Sequence, residues 1–340
     1  ATSALESWNV PISGSSSEAG GTASFTVALD TAPTADVTIT LTVGDASEGS
    51  LSTSLLTFTS ANWNVAQTVT VTGLDDSFVD GSQIWSVVTG SAVSADAAYN
   101  GLSVADVSVT NTDDDTYNTL SVTTAADTAD GDTSSIAALY ANKGADGQIS
   151  LREAIMAANA TVNGAQADRI VFGIAGTGVH TINPGSVLPA ISDAVILDAT
   201  TDDSYAANGS HPAIVLDGSG AGAGVDGLTL QSGASGSTVK ANYLGVNATG
   251  STAVAYANGI DIIGGAGNLI GGTTAAERNV ISGNTYYGVY VSGAAATGNV
   301  VQGNYIGTNA AGNAAVANGA SGVWIDAGAT GNTLGGAAAG

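Results

Sequence analysis

Carboxylate side chains are concentrated in a few short segments of the first 116 residues, where they have no basic partner. Asp113, Asp114 and Asp115 stand side by side, and the first lysine or arginine of the chain is Lys143. Two like charges about 4 Å apart repel by about 4 kcal/mol at an effective dielectric of about 20. Calcium takes about six to eight oxygen ligands from flexible loops and relieves such repulsion. The pattern therefore predicts a calcium site.

Six segments of this region alternate apolar and polar residues with the period of two that is typical of β-strands. They are residues 23–30, 36–43, 55–59, 67–73, 82–88 and 102–110, and a seventh strand is expected within 4–12. Short strands at this spacing predict an antiparallel, immunoglobulin-like sandwich. The expected core residues are Phe25, Val27, Val37, Ile39, Leu41, Val69, Val71, Ile84 and Val107.

The strand order predicts that the acids share one end of this sandwich, because connections between antiparallel strands alternate between the two ends. Segments 13–22, 44–54, 74–81 and 111–116 fall at the same end. Their nine carboxylates are Glu18, Asp45, Glu48, Asp75, Asp76, Asp80, Asp113, Asp114 and Asp115. The loops at the opposite end contain Asp96 alone. Each acidic loop by itself also fits an ordinary solvated turn, and their shared end is what favours calcium.

Three segments of residues 1–116 resemble the Calx-β domain, a calcium-binding sandwich of sodium–calcium exchangers and of large bacterial surface proteins. They are SSSEAGGTASFTVALDT, VTGLDDSFVDGSQIWSV and VADVSVTNTDDD. The resemblance implies calcium ligands at Glu18, Asp45, Asp75, Asp76, the Phe78 carbonyl, Asp80, Asp113, Asp114 and Asp115. Ser77 and Gly81 interrupt the acids of the middle loop, which implies fewer or more weakly held ions than in the exchangers.

Residues 117–167 form a linker that contains the one segment for which the sequence favours a helix. Ser150 and Glu153 make a capping-box pattern at its start. The stretch ISLREAI resembles the CSLREA region, with Ile149 in the place of the cysteine. That resemblance implies a short helix that caps the beginning of a right-handed parallel β-helix.

A calcium loop of the EF-hand type over residues 142–153 is an alternative interpretation of the same segment. Asp146 and Glu153 match ligand positions of that motif, whereas Asn142 and Gly144 occupy its first and third positions. The capping helix is therefore the favoured interpretation.

Residues 168–340 repeat themselves, and fixed-period repetition is typical of solenoids. Segment 237–259 returns as 299–322, so that Tyr243 corresponds to Tyr305. We divide this offset of 62 residues into three coils of about twenty residues each, which predicts a parallel β-helix. Asparagines at the bends are expected to form hydrogen bonds along the axis, and we expect the repeat to continue past residue 340.

The repeated motifs GIDI, GVYV and GVWI place one outward residue between two inward ones. The expected inward residues are Ile260, Ile262, Val289, Val291, Val323 and Ile325. Tyr290 and Trp324 occupy the outward position, and we expect Tyr243, Tyr286 and Tyr305 nearby. Outward aromatic rings could bind sugars or another protein, and single surface aromatics on a large sheet are the alternative.

The composition excludes several classes of partner. Five basic residues against 29 acidic ones give a formal net charge of −24, so that neither nucleic acid nor an anionic membrane is expected. Cysteine is absent, which removes disulfides and thiolate chemistry. No apolar run reaches the length of about 18–20 residues that a membrane helix requires. His180 and His211 lack a ligand pattern, and we expect both in solvated loops.

The sequence contains no catalytic constellation, and we expect that the protein is not an enzyme. Arg169, Lys240 and Arg278 occupy unrelated positions in the repeat, whereas a polysaccharide lyase requires a base close to acidic residues. The acids of the repeat are scattered through the coils.

We therefore expect a structural or adhesive segment of a large secreted or cell-surface bacterial protein, stiffened by calcium, such as a stalk, matrix or filament component. The expected partners are calcium and either surface glycans or copies of the same chain. The alternative is a β-helix protein that binds or degrades polysaccharide.

Overall fold

A computed structural model of the chain is built mainly of β-strands, with a few short helices, which confirms the expectation of a β-rich protein. The residues that the structure describes are 13–76, 78–115, 117–208 and 211–336. The chain divides into two compact units, Ala1–Thr116 and Tyr117–Gly340, which we call unit 1 and unit 2. The strand expected within 4–12 lies outside the described residues. No helix in the described part combines the length and the apolar character needed to span a bilayer.

Unit 1 has nine strands in its described part, arranged in two sheets. The strands are β1 (Ser13–Ser17), β2 (Thr22–Val27), β3 (Val37–Val43), β4 (Gly49–Leu51), β5 (Leu55–Phe58), β6 (Gln67–Gly73), β7 (Gln83–Thr89), β8 (Val93–Ser94) and β9 (Val107–Thr112). One sheet has the order β1-β9-β7-β3-β5, with β8 paired to β3, and the other has the order β2-β6-β4. Buried side chains from both sheets form one hydrophobic core.

The pairing of β1 corrects the expectation of purely antiparallel strands. Residues 13–17 were expected in a loop, but they form a strand that pairs in parallel with β9. The other pairings in the described part of unit 1 are antiparallel.

The core contains the expected side chains except Ile84, which is 74% exposed. Trp85 and Val87 of the same strand point inward instead. The reason is the larger apolar area of the indole, which lies against Gly49 in the space that a Cβ atom would fill. The sequence thus predicted the strand correctly, but it assigned the buried face to Ile84 when the buried face carries Trp85 and Val87.

Unit 2 contains three parallel sheets and three α-helices in its described part. The strands are β10 (Thr119–Val122), β11 (Asp168–Phe172), β12 (His180–Ile182), β13 (Val195–Asp198), β14 (Ile214–Leu216), β15 (Leu228–Leu230), β16 (Thr238–Lys240), β17 (Asn242–Leu244), β18 (Ile260–Ile263), β19 (Leu269–Gly271), β20 (Val280–Ile281), β21 (Tyr287–Ser292), β22 (Val300–Gln302), β23 (Tyr305–Ile306), β24 (Ser321–Asp326) and β25 (Thr333–Leu334). The α-helices are α1 (Ile136–Ala141), α2 (Leu151–Ala160) and α3 (Ser204–Ala207), and short 3-10 helices cover Ala199–Thr201, Gly218–Gly220, Ser232–Ala234 and Ala275–Glu277.

The sheets have the orders β10-β11-β13-β16-β19-β22-β25, β12-β14-β17-β20-β23 and β15-β18-β21-β24. From β13 onward the chain passes through these sheets in a fixed rotation, and we call one such passage a circuit. Val239 pairs with Ile270, which pairs with Val301, so that a circuit takes about 31 residues. The predicted coil of about twenty residues is therefore wrong. The 62-residue repeat spans two circuits, because each circuit requires three strands and three bends.

Buried asparagines connect successive circuits, as the sequence predicted. The Asn299 side chain accepts a hydrogen bond from the Asn268 N–H at 2.8 Å, and Asn332 accepts one from the Asn299 N–H at 2.8 Å. In a second column, Asn279 accepts from the Asn242 N–H at 2.9 Å. These amides satisfy backbone donors at bends that are closed to water.

Helix α2 begins with the predicted capping box and packs against β10 and β11. The Glu153 N–H donates to Ser150 Oγ at 3.2 Å, and the Ser150 N–H donates to Glu153 Oε2 at 2.9 Å. The other carboxylate oxygen of Glu153 accepts from the N–H groups of Asp130 and Gly131. Glu153 thus stabilises both the start of a helix and a neighbouring loop. These contacts explain a glutamate at this position without the calcium ligation that the EF-hand alternative requires.

Candidate metal centre

Strand pairing in unit 1 brings the acidic loops together. Parallel pairing of β1 with β9 places the segments after both strands side by side, and the Glu18 N–H donates to the Thr112 carbonyl at 3.0 Å. The Leu74 N–H donates to the Glu48 carbonyl at 3.1 Å, which joins the loop after β6 to the segment before β4. Gly20 has a φ of +78°, a left-handed conformation that turns the chain back after Glu18.

The first group of carboxylates consists of Glu18, Asp75 and Asp115, which we call the Glu18 group. One oxygen of each residue lies within 4.8 Å of an oxygen of the other two. Calcium holds its ligands at about 2.3–2.6 Å, so that two oxygens bound to one ion lie at most about 5 Å apart. The spacing of the three oxygens therefore fits one calcium ion.

Two oxygens of this group are buried without a hydrogen-bond donor. Glu18 is 2% exposed, and neither its Oε2 atom nor Oδ2 of Asp115 has a hydrogen-bond partner. Burial, together with repulsion from Asp113, raises the pKa of Glu18 to about 7 and that of Asp115 to about 6. A buried carboxylate without a donor is destabilising. A cation at this position would satisfy both oxygens and favour their ionised forms.

The second group consists of Glu48, Asp76 and Asp80, which we call the Glu48 group. Its ligand oxygens also lie within 4.8 Å of one another. Burial raises the pKa of Glu48, against the opposing effect of the Asn111 side chain, which donates to Oε2 at 3.2 Å. Burial raises the pKa of Asp80 as well. Asp76 accepts a hydrogen bond from the Phe78 N–H at 2.7 Å, which fixes its orientation in the loop.

Asp113 and Asp114 lie beside the Glu18 group and affect it differently. Asp113 accepts hydrogen bonds from the N–H groups of Gly81 at 2.7 Å and Asp115 at 2.8 Å, so its carboxylate orders two loops. The Asp114 side chain is exposed, and its backbone N–H forms a hydrogen bond to the Glu18 carboxylate that lowers the pKa of Glu18. Of the three consecutive acids Asp113, Asp114 and Asp115, Asp115 is thus the member of the Glu18 group among the described residues, and the other two are its neighbours.

Asp45 and the Phe78 carbonyl, two other ligands implied by the resemblance, lie at the edge of the Glu48 group. Asp45 is exposed and accepts hydrogen bonds from Ser47, which lower its pKa, while its charge raises the pKa of Glu48. The Phe78 carbonyl accepts the Asp80 N–H at 3.0 Å. Glu48 was missing from the implied ligands, although the strand-direction argument placed it at this end. Its burial is the feature that assigns it to the group.

Asp96 shows how an acid of unit 1 is satisfied by protein donors alone. Its carboxylate accepts the Thr34 N–H at 2.8 Å and the Ala98 N–H at 2.9 Å, and these bonds lower its pKa. The contrast with Glu18 is direct, because the same chain supplies donors to one carboxylate and leaves an oxygen of the other without any.

A third group with metal-binding side chains lies in unit 2 and consists of His180, Asp202 and Asp203. His180 begins strand β12 and is half-buried, so the expectation of a solvated loop histidine was wrong. Its Nε2 atom lies 3.6 Å from Asp202 Oδ1. The two Asp202 oxygens already accept hydrogen bonds from the N–H groups of Ser204 at 3.0 Å and Ile174 at 3.2 Å. We assign no metal to this group, because both oxygens of its buried acid have donors.

The outward aromatics of unit 2 are arranged partly as expected. Tyr290 and Trp324 are partners in register on β21 and β24. Tyr243 is buried in another sheet, where it packs against Val280 and Tyr305. The expectation that Tyr243 and Tyr305 lie near the outward pair was therefore wrong, because both belong to the five-stranded sheet.

A scan of the sequence against models of protein families finds no match, and a search of curated proteins finds none.

Proposed function

We propose that unit 1 is a calcium-binding sandwich of the Calx-β type and that unit 2 is a right-handed parallel β-helix. Calcium binds in the Glu18 group and in the Glu48 group. The protein acts as a structural or adhesive segment of a large bacterial protein at the cell surface or outside the cell, and it performs no catalysis. Its partners are calcium and either surface glycans or copies of the same chain.

The observation that carries the calcium proposal is the pair of buried, donor-free oxygens on Glu18 and Asp115. They lie in a unit whose sequence contains no lysine or arginine. Carboxylate oxygens are hard ligands, and their spacing suits calcium, which accepts flexible loop geometry better than magnesium does. Thiolate-binding metals are disfavoured because the chain has no cysteine.

The structural part of the proposal is supported by the way unit 2 is held together. Successive circuits share parallel hydrogen bonds and columns of buried asparagines, and the same contacts recur along the sheets. Repeats that contact mainly their neighbours form elongated supports. Calcium in unit 1 would contribute stiffness by joining loops that otherwise repel one another.

The test is calorimetric titration of the whole 340-residue chain with calcium, after treatment with a chelator. We expect two sites for the unchanged chain. The double variant Glu18→Gln with Asp115→Asn should lose one site, and Glu48→Gln should weaken the other. Asp96→Asn is the matched control and should retain both sites. Absence of calcium-dependent heat in the unchanged chain, or equal binding by all variants, would refute the proposal.

A further inference from the structure

The four-stranded sheet of unit 2 carries a continuous outward column of side chains that the calcium proposal does not use. Thr229 pairs in register with Asp261, Asp261 with Tyr290, and Tyr290 with Trp324. Side chains at register partners lie on the same face of a sheet, about 4.8 Å apart. The column therefore changes from polar to aromatic over neighbouring strands.

Three aromatic rings form a stack at the aromatic end of this column. The Tyr287 ring stacks on both of the others, with its centroid 5.4 Å from that of Tyr290 and 5.7 Å from that of Trp324. The interplanar angles are 26° and 14°. Offset, nearly parallel rings leave part of each face open. Trp324 is 43% exposed, so this surface is accessible to a ligand.

A fixed carboxylate borders the rings. Tyr290 donates its hydroxyl hydrogen to Asp326 Oδ1 at 2.9 Å, and the Trp324 indole N–H donates to Asp326 Oδ2 at 3.0 Å. These two bonds lower the pKa of Asp326, so that it stays ionised at neutral pH. The Ser292 side chain also forms a hydrogen bond to Asp326, and three donors leave one of the roughly four lone-pair sites of the carboxylate for a ligand. Asp326 is therefore an oriented hydrogen-bond acceptor beside an apolar surface.

A pair of carboxyl groups lies further along the same face. Asp261 is 5% exposed, and its side chain is in hydrogen-bonding contact with Asp226. Burial and the neighbouring Asp226 raise the pKa of Asp261, because the pair holds a proton more readily than a single carboxylate does. The face beside the rings consequently carries less negative charge than its number of acids suggests.

We propose that Tyr287, Tyr290, Trp324 and Asp326 bind a neutral pyranose sugar of an oligosaccharide. The apolar C–H face of a pyranose matches the exposed part of the Trp324 ring, which Tyr287 supports from one side, and the sugar hydroxyl groups are donors for an oriented carboxylate. We call these four residues the sugar surface.

Two observations favour a neutral sugar over other ligands. A quaternary ammonium ion prefers ring faces on several sides, whereas these rings are nearly parallel and stacked, so that they do not enclose a cation. An acidic sugar would bring its carboxylate towards Asp326 in a chain of net charge −24. The Asp226 and Asp261 carboxyl groups are also in hydrogen-bonding contact with each other, whereas the two carboxyl groups of a glycosidase stand apart on either side of the scissile bond. The sugar surface is thus a binding site, and its function does not depend on the calcium proposal.

The test uses the whole chain and a defined set of probes. Cellohexaose, maltohexaose and mannohexaose are the neutral members, hexagalacturonate is the acidic member, and choline represents a cation. Trp324 is one of four tryptophans in the chain and the only one within residues 117–340, so the part of the fluorescence change that disappears in Trp324→Phe reports on this site. Calorimetry gives the dissociation constants, and thermal melting checks that each variant is folded.

We expect at least one neutral hexasaccharide to bind and to change the tryptophan fluorescence. Trp324→Ala and, independently, Asp326→Ala should weaken its binding at least tenfold, and Trp324→Phe should recover part of the loss. Tyr286→Ala is the matched control, because Tyr286 is 54% exposed and is not one of the three stacked rings. This variant should bind within twofold of the unchanged chain.

The proposal is overturned if none of the three neutral hexasaccharides binds, or if choline or hexagalacturonate binds more tightly than all of them. It is also overturned if a folded Trp324→Ala or Asp326→Ala variant binds the sugar as tightly as the unchanged chain. If one of these two variants does not fold, the other decides the question.

Discussion

Replacement of Glu18 by glutamine should change the stability of the chain in opposite directions with and without calcium. The folded-state pKa of Glu18 is about 7, against an ordinary value of 4.5. Between these values the folded chain keeps a proton that the unfolded chain has lost, so this residue's contribution to stability falls as the pH rises from about 4.5 to 7. Glutamine has nearly the same shape, carries no charge and can donate hydrogen bonds to neighbouring carboxylates. The variant should therefore be more stable than the unchanged chain in chelator at pH 8.

The size of this gain follows from the shift in pKa. One pKa unit corresponds to about 1.4 kcal/mol, so a shift from 4.5 to about 7 gives at most about 3 kcal/mol. The loops lie near solvent, which screens the repulsion, and we expect about 1–3 kcal/mol. A domain of about 100 residues that unfolds independently melts about 4–8 °C higher for each kcal/mol. The expected rise of several degrees is readily measured by calorimetry.

Calcium should reverse the order of the two proteins. A ligand at about 100 times its dissociation constant stabilises the folded state by about 2.7 kcal/mol, and Glu18→Gln removes part of the site on which that gain depends. The matched control is Asp96→Asn, which should lower the melting temperature slightly in both conditions and leave the calcium-dependent increase unchanged. The reasoning fails if Glu18→Gln melts below the unchanged chain in chelator, or if both show the same increase with calcium.

Three further outcomes are expected. In chelator, urea unfolding of the unchanged chain should show stability decreasing from about pH 5 to pH 7, because the pKa values of Glu18 and Asp115 are raised to about 7 and about 6. Saturating calcium should reduce this slope. Asn279→Ala should lower the free energy of unfolding by about 2–4 kcal/mol in the same assay, because it leaves buried backbone groups unpaired. Asn313→Ala, at an exposed position, is the control and should lower it by less than about 0.5 kcal/mol. Asp261→Asn should raise the melting temperature above pH 7 and have little effect below about pH 4, because between these values the unfolded chain loses a proton that the folded Asp261 keeps, and an equal effect at both pH values would contradict this explanation.

The alternation of apolar residues predicted strands well but could not always decide which face is buried. In β7 the two faces carry Ile84 with Val88 and Trp85 with Val87, so that both are apolar. Which of the two faces is buried depends on the space beside Gly49 that the Trp85 ring fills, and this is a tertiary contact that the strand's own sequence does not contain. Strand β1 has the sequence SGSSS and no apolar pattern at all, so its parallel pairing could not be inferred.

The acids of the candidate metal centre were predicted as a set, and their arrangement was not. Loop order alone placed them at one end, because it depends only on strand direction. Which oxygens converge depends on backbone turns and on burial. Glu48 is buried and Asp45 is exposed, although both lie in the same short segment. The length of a circuit was missed for a related reason, since the 62-residue similarity is strongest between alternate circuits, where Tyr243 and Tyr305 flank Val280.

The asparagine columns of unit 2 constrain how such a chain can change length. The Oδ1 atom of each amide accepts from the circuit before it, and Asn268 and Asn299 donate their own N–H groups to the circuit after, as the run from Asn268 through Asn299 to Asn332 shows. Deletion or duplication of a whole circuit brings identical groups back into contact, whereas removal of ten residues would set an amide against an apolar side chain. Gene rearrangements that preserve folding should therefore occur in steps of one or two circuits, and this type of scaffold can be lengthened without the evolution of any new interface.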